Sequence, residues 1–293
     1  MIRSKGEKWF DRALVLILGV ILLSVLYPLY FVVIASFSDP IAVLGGEVTI
    51  LPVKPTLEPY RMVFKDPDIL VGYRNTIFYT VAGTALNLFL NIAAAYPLSK
   101  KNLPGRKLLM KLLVFTMYFS GGLIPLYLLV SDLRLLDTYT IMILSGAVSV
   151  TNVIIMRTYF QSSIPAEIEE SAEIDGASQI KTLVHIVLPL SKPILAVIVL
   201  YYSVTHWNTY FDGLIYLNSK DKFPLQLILR SILIQNQVSQ DIMAGVDDTY
   251  SRKLFGETIK YALILVSSLP VLCLYPFLQK YFVKGVMLGS VKG

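Results

Sequence analysis

Six stretches of this chain carry no Asp, Glu, Lys or Arg: 13–37, 76–99, 112–131, 138–156, 193–211 and 261–278. A helix crossing a hydrocarbon core of about 30 Å needs roughly 20 consecutive apolar residues, and each stretch meets or approaches that length. Backbone polar groups in lipid must be satisfied within the segment, so the stretches predict helices. Allowing for ends that extend past the charge-free core, the spans fall at about 13–37, 76–99, 108–131, 138–157, 193–217 and 259–282. The pattern therefore predicts an all-α, polytopic membrane protein with six transmembrane helices in a lipid bilayer. Residues 1–12 form a leading segment, 13–282 the membrane domain and 283–293 a tail. Within the domain, long polar connections occupy 161–192 and 218–258. Pro28, Pro97, Pro125, Pro270 and Pro276 should kink the spans locally.

Composition supports the membrane class. The 293 residues are 55% hydrophobic and 16% charged, against about 45–50% and 25% in soluble domains. The formal charge of +6 fits basic loops on the cytoplasmic side of a membrane, with no call for nucleic acid as a partner. Lys and Arg set the orientation. With both termini inside, the inner segments carry 15 basic residues in 75 positions and the outer segments 11 in 93. The short loop "SKKNLPGRKLLMK" is the clearest case, so the N- and C-termini are expected in the cytoplasm. The first apolar run follows basic residues like a signal peptide, but its 25 residues exceed the 7–15 of a signal core. It is expected to stay as a transmembrane helix.

Few residues can carry chemistry. Cys273 is the sole cysteine, and His185 and His206 are the only histidines. Neither a disulfide nor a metal centre is expected from such a set. No G-x-x-x-x-G-K-S/T loop occurs, so the chain is expected to bind no cofactor and to hydrolyse no ATP by itself.

The 157–192 connection breaks the basic pattern, with five acids, Glu167, Glu169, Glu170, Glu173 and Asp175, against three basic residues. A loop resting on anionic lipid would be basic. The stretch "SSIPAEIEESAEIDGA" reads as a helix with its own punctuation. Pro165 suits a first turn, and the glutamates lie where the helix dipole favours acids. Ile164, Ile168 and Ala172 form an apolar stripe, and Gly176 fits a left-handed end. Ser178 can cap a second helix running from Gln179 to about Val187. Asp175 opposes the dipole; it caps the next turn or receives a cation from a partner.

These residues resemble the EAA motif of ABC importer permeases. Glu170-Ser171-Ala172, three residues, Gly176 and Ala177, eight more residues, then Ile186-Val187-Leu188-Pro189 match that pattern position by position. Wording along the chain is similar to carbohydrate permeases: "RNTIFYTVAG", "FSGGLIPLYLL", "IDGAS", "HWNTYF" and "YPFLQKYFVKGVMLGSVKG". The style is that of the oligosaccharide branch, including alginate importers. The resemblance implies the type I ABC importer permease fold in a bacterial inner membrane. It implies a second homologous permease subunit, two ATP-binding cassette ATPase subunits holding ATP and Mg, and an external solute-binding protein. It also implies that Glu167, Glu170, Ser171, Ala172, Asp175, Gly176, Ala177, Ile186, Leu188 and Pro189 couple the chain to the ATPases.

Candidate sugar contacts lie in "THWNTYFDGLIY". At helical spacing Trp207, Tyr210 and Phe211 share one face and Asn208 and Asp212 another. An aromatic face stacks on sugar rings; an interfacial aromatic belt gives the same pattern. Asn87 and Asn91 lie one turn apart in the second run, placed for interhelical hydrogen bonds or for lining a cavity. The rival classes are an importer of a non-sugar solute, a membrane enzyme, and a scaffold or receptor without transport. Charge-free spans argue against the enzyme.

Overall fold

The computed structural model describes residues 5–242, 256, 259–273 and 276. Among them no strand occurs. The chain divides into two compact units, one formed by 1–67 with 229–269 and the other by 68–228 with 270–293. The predicted tail, the last span beyond 276 and residues 243–255 and 257–258 of the 218–258 connection lie outside the described residues.

In the first unit, α1 (Lys5–Ser36) is an apolar helix with Pro28 inside it. Short helices α2 (Pro40–Leu44) and α3 (Glu58–Lys65) follow. The side chains of α1 are exposed on every face from Leu14 to Tyr30, while Phe31 and Val32 are half-buried; an apolar helix of this kind suits lipid. Ser36 Oγ meets Tyr60 Oη at 2.7 Å, fixing α3 to the end of α1.

The second unit begins with α4 (Pro67–Ser99), which starts nine residues before the predicted span at 76. Its apolar face supports α8 (Val150–Ser163) and α12 (Lys192–Trp207). Ala95, Tyr96, Leu98, Val153, Met156, Val187 and Ile198 are buried together as the core of this unit.

Three predicted spans are not single straight helices, and 193–217 is split between α12 and α13 (Phe211–Tyr216). The 108–131 span is α5 (Arg106–Tyr118) and α6 (Leu123–Asp132), bent by 109°. Gly122, at φ +86°, makes the bend without the steric penalty a side chain would incur. The 138–157 span is α7 (Tyr139–Leu144) and the longer α8, separated by a turn in which Gly146 has φ +66°. Among the described residues, two single helices are long and apolar enough to cross a membrane, and up to four segments if each bent pair counts as one. The six-span topology accordingly stays an expectation. The 218–258 connection is not a mere loop, since α14 (Leu225–Ile242) occupies much of it.

A polar latch closes the α6–α7 turn. Asp137 accepts hydrogen bonds from Ser219 Oγ, from Ser219 N at 3.0 Å and from Asn218 N at 3.1 Å. Lys222 Nζ lies 3.1 Å from the same carboxylate. The Ser219 hydroxyl above all, then its amide and Lys222, holds the Asp137 carboxyl well below the usual carboxylate range. A depressed folded-state pKa stabilises above the unfolded value of about 3.9, and that contribution fades as pH falls below it. Asp137→Asn should therefore melt lower than the parent protein at neutral pH. The gap should narrow below about pH 4, as thermal melts across pH in detergent would report.

Candidate coupling site

The acidic connection folds as a helix, a tight turn and a second helical segment. Helix α9 (Ala166–Ile174) begins after Pro165, which stands at the N-cap rather than in the first turn. Its end is a Schellman arrangement. Ala177 N donates to Ala172 O at 2.9 Å and Gly176 N to Glu173 O at 3.0 Å. Gly176 sits at φ +76°, a left-handed conformation that residues with a β-carbon resist. Ser178 Oγ then accepts from Lys181 N at 3.3 Å and caps α10 (Gln179–Thr182). Residues Leu183–Val187 widen into a π-type turn before α11 (Leu188–Leu190). The 179–190 segment meets α12 at 84°.

This hairpin is held from inside. Glu169 forms an ion pair with Lys100, at the end of α4. Lys100 Nζ also lies 4.2 Å from the centre of the Tyr96 ring. Tyr96 Oη donates to Gln179 Oε1 at 3.2 Å, so the same turn of α4 holds both halves of the hairpin. Arg157 Nε donates to Leu98 O at 2.9 Å and Gln161 Nε2 to Ser99 O at 2.8 Å. These bonds satisfy carbonyls that the end of α4 leaves without helical partners. Ala172 and Ile164 face inward, while Ile168 is 40% exposed, so the predicted stripe is buried only in part.

The outward surface combines acids with bare apolar side chains. Glu167, Glu170, Ser171, Glu173, Asp175 and Gly176 are exposed, and Ala177, Ile186 and Leu188 are half-buried. Pro189 is exposed. Ile174 and Ile180, on either side of the glycine turn, are 86% and 74% exposed. Sequence reasoning missed both. The available signal was an isoleucine flanking each side of a turn otherwise made of Asp, Gly, Ala, Ser and Gln. Burying one such side chain fully would contribute about 1.5–3 kcal/mol to docking.

The candidate sugar contacts do not form the predicted faces. Helix α12 ends at Trp207, with Asn208 as its C-cap, and α13 (Phe211–Tyr216) starts anew. The helical spacing from 207 to 212 is thus broken, because Asn208 Nδ2 bonds back to Val204 O at 2.8 Å and the chain turns. Trp207 is buried edge-on against Tyr73, and Asp212 accepts from Ser145 Oγ at 2.8 Å. Tyr210 and Phe211 remain 39% and 47% exposed. Asn87 and Asn91 are closed off between α4 and α12. Asn87 Nδ2 lies 3.2 Å from His206 Nε2, and Asn91 Nδ2 donates to Tyr202 Oη. In this conformation the two asparagines join helices and line no open surface.

In this helical domain a turn braced to α4 carries two exposed isoleucines at its tip. The family model "Binding-protein-dependent transport system inner membrane component" matches residues 69–288. The chain belongs to this family and is the membrane permease component of such a transport system. It is 42% identical to Protein LplC of Bacillus subtilis (strain 168), over 100% of this chain and 98% of that protein. It is 43% identical to the polygalacturonan/rhamnogalacturonan transport system permease protein YtcP of the same organism, over 98% and 99%. Among solved structures, a chain of a bacterial ABC transporter involved in the import of the acidic polysaccharide alginate superposes with TM-score 0.87. That chain is 35% identical, with 96% of this chain and 99% of it covered.

Proposed function

We propose that the chain is one of two permease subunits of an ATP-driven oligosaccharide importer, and that its acidic hairpin docks on an ATPase subunit. The observation that carries the coupling reading is the pair Ile174 and Ile180, held exposed about a left-handed Gly176 on a hairpin braced to α4. A surface meant only for water would not place two isoleucines there. The partners are a second homologous permease, two ATPase subunits that hold ATP and Mg, and an external solute-binding protein. Both termini are cytoplasmic. Closure of the ATPases moves the hairpin, and its ties to α4 carry that motion into the spans, in keeping with rocking about a midplane site.

The brace makes a direct prediction. Lys100→Glu or Glu169→Lys alone places like charges in contact. Each should cost about 1 kcal/mol of coupling and lower uptake severalfold in proteoliposomes. The double reversal should restore uptake. Failure of that rescue would remove the ion pair from the mechanism.

The substrate class proposed is acidic oligosaccharide, of the alginate or galacturonate kind. It rests on the names of YtcP and of the structurally similar transporter. Asn208, Tyr210 and Phe211 are the predicted contacts still exposed, the two rings offering faces to an approaching sugar. ATPase activity of the reconstituted complex, with its binding protein, should rise with uronate oligosaccharides and far less with neutral ones. Stimulation by an amino acid or phosphate alone would overturn the sugar assignment.

A further inference from the structure

The hairpin has two halves that lead to different parts of the domain. Helix α9 stands before Gly176 and follows directly on α8. Helix α10 stands after it and continues through the π-type turn to α12. A push received at the 174–180 turn therefore has two routes into the spans. Whether the routes move together depends on a contact that holds both halves at one place.

Tyr96, in the last turn of α4, makes that contact. It is buried in the core with Phe160, Val187 and Ile198. Its ring packs edge-on against Phe160 of α8, with centroids 6.3 Å apart and planes at 81°. Its hydroxyl reaches α10 at two atoms of Gln179, Oε1 at 3.2 Å and the carbonyl oxygen at 3.5 Å. Its ring face lies 4.2 Å from the Lys100 ammonium, and that ammonium holds Glu169 of α9. The two ends of one side chain thus address the two halves separately. The hydroxyl serves α10, and the ring steadies the cation that serves α9. A phenylalanine would fill the same space against Phe160 and keep the cation; only the hydroxyl reaches Gln179.

We infer that Tyr96 is a positioning residue for coupling: its hydroxyl ties α10 to the end of α4, so that α9 and α10 deliver the ATPase stroke to α4 and α12 as one body. The inference rests on the docking of the hairpin on an ATPase subunit. Without the hydroxyl, the Lys100–Glu169 pair still holds α9 beside an intact ring. Helix α10 is then free to follow the ATPase while α4 stays behind.

The test uses the assembled transport complex in phospholipid vesicles, in a Cys273→Ser background. Nitroxide pairs are placed at exposed positions: Lys101→Cys with Lys181→Cys follows α10, and Lys101→Cys with Ala166→Cys follows α9. Spin–spin distances are read without nucleotide and after trapping with ATP and vanadate. In the parent chain both distances should be the same in the two states. Tyr96→Phe should shift and broaden the 101–181 distance on trapping and leave 101–166 as in the parent. Photo-crosslinking from position 174 to the ATPase subunit should persist in Tyr96→Phe. A 101–181 distance as steady in Tyr96→Phe as in the parent, or one that already shifts in the parent, would overturn the inference. Loosening of both pairs before nucleotide is added would overturn it as well, leaving Tyr96 a packing residue. Absence of the ATPase adduct in the parent would overturn the docking reading and this inference with it.

Discussion

Gly176→Pro is expected to abolish coupled uptake while leaving the membrane domain folded. Proline locks φ near −65°, whereas residue 176 has φ +76°. It also removes the N–H that donates to Glu173 O at 3.0 Å. The local cost is about 3 kcal/mol or more, and the turn must re-form in another shape. Ile174 and Ile180 then no longer present together. Gly176 itself is exposed and nothing lies within 4 Å of where its β-carbon would stand, so the strain stays in the turn and the core around Val153, Met156 and Ile198 keeps its packing. Purified complex should lose its ATPase subunits, or keep them without sugar-stimulated hydrolysis. Normal uptake by this variant would mean that the turn carries no force.

The second large effect is expected at Gly83→Val, and it is one of assembly. A β-carbon at residue 83 would lie 2.4 Å from Cε1 and Nε2 of His206, across the α4–α12 contact. An imidazole ring cannot yield by bending, so the two helices must part or the ring must leave. Overpacking of this kind costs about 1–3 kcal/mol. Displacing the ring also breaks its 3.2 Å contact with Asn87, and a buried polar group left unpaired costs about 1–3 kcal/mol more. The variant should express poorly and melt well below the parent protein in detergent. An unchanged melting temperature would show that α4 and α12 do not pack this closely.

Local signals along the chain were legible because they act over a few residues. Pro165, Gly176 and Ser178 each impose a backbone preference that no distant contact has to supply, and each stands at a helix boundary. Direction was not legible. The 108–131 run is apolar throughout, and apolarity does not report a turn of 109°. The Gly121-Gly122 pair and Pro125 were the only marks of the break. The same blindness extended α12 through Asn208 and created an aromatic face that the fold does not contain. Long-range pairs were not legible either. Lys100 and Glu169 are 69 residues apart, and both read as ordinary loop charges. The exposure of Ile174 and Ile180 escaped notice because an isoleucine near a helix end reads first as core.

Docking of the 174–180 turn on a separate ATPase subunit is tested most directly by a photo-crosslinking residue placed at Ile174 in the assembled complex. Illumination should join this chain to the ATPase subunit in high yield, and the yield should fall when Gly176→Pro is added. An adduct formed only within this chain, or with the companion permease, would contradict it.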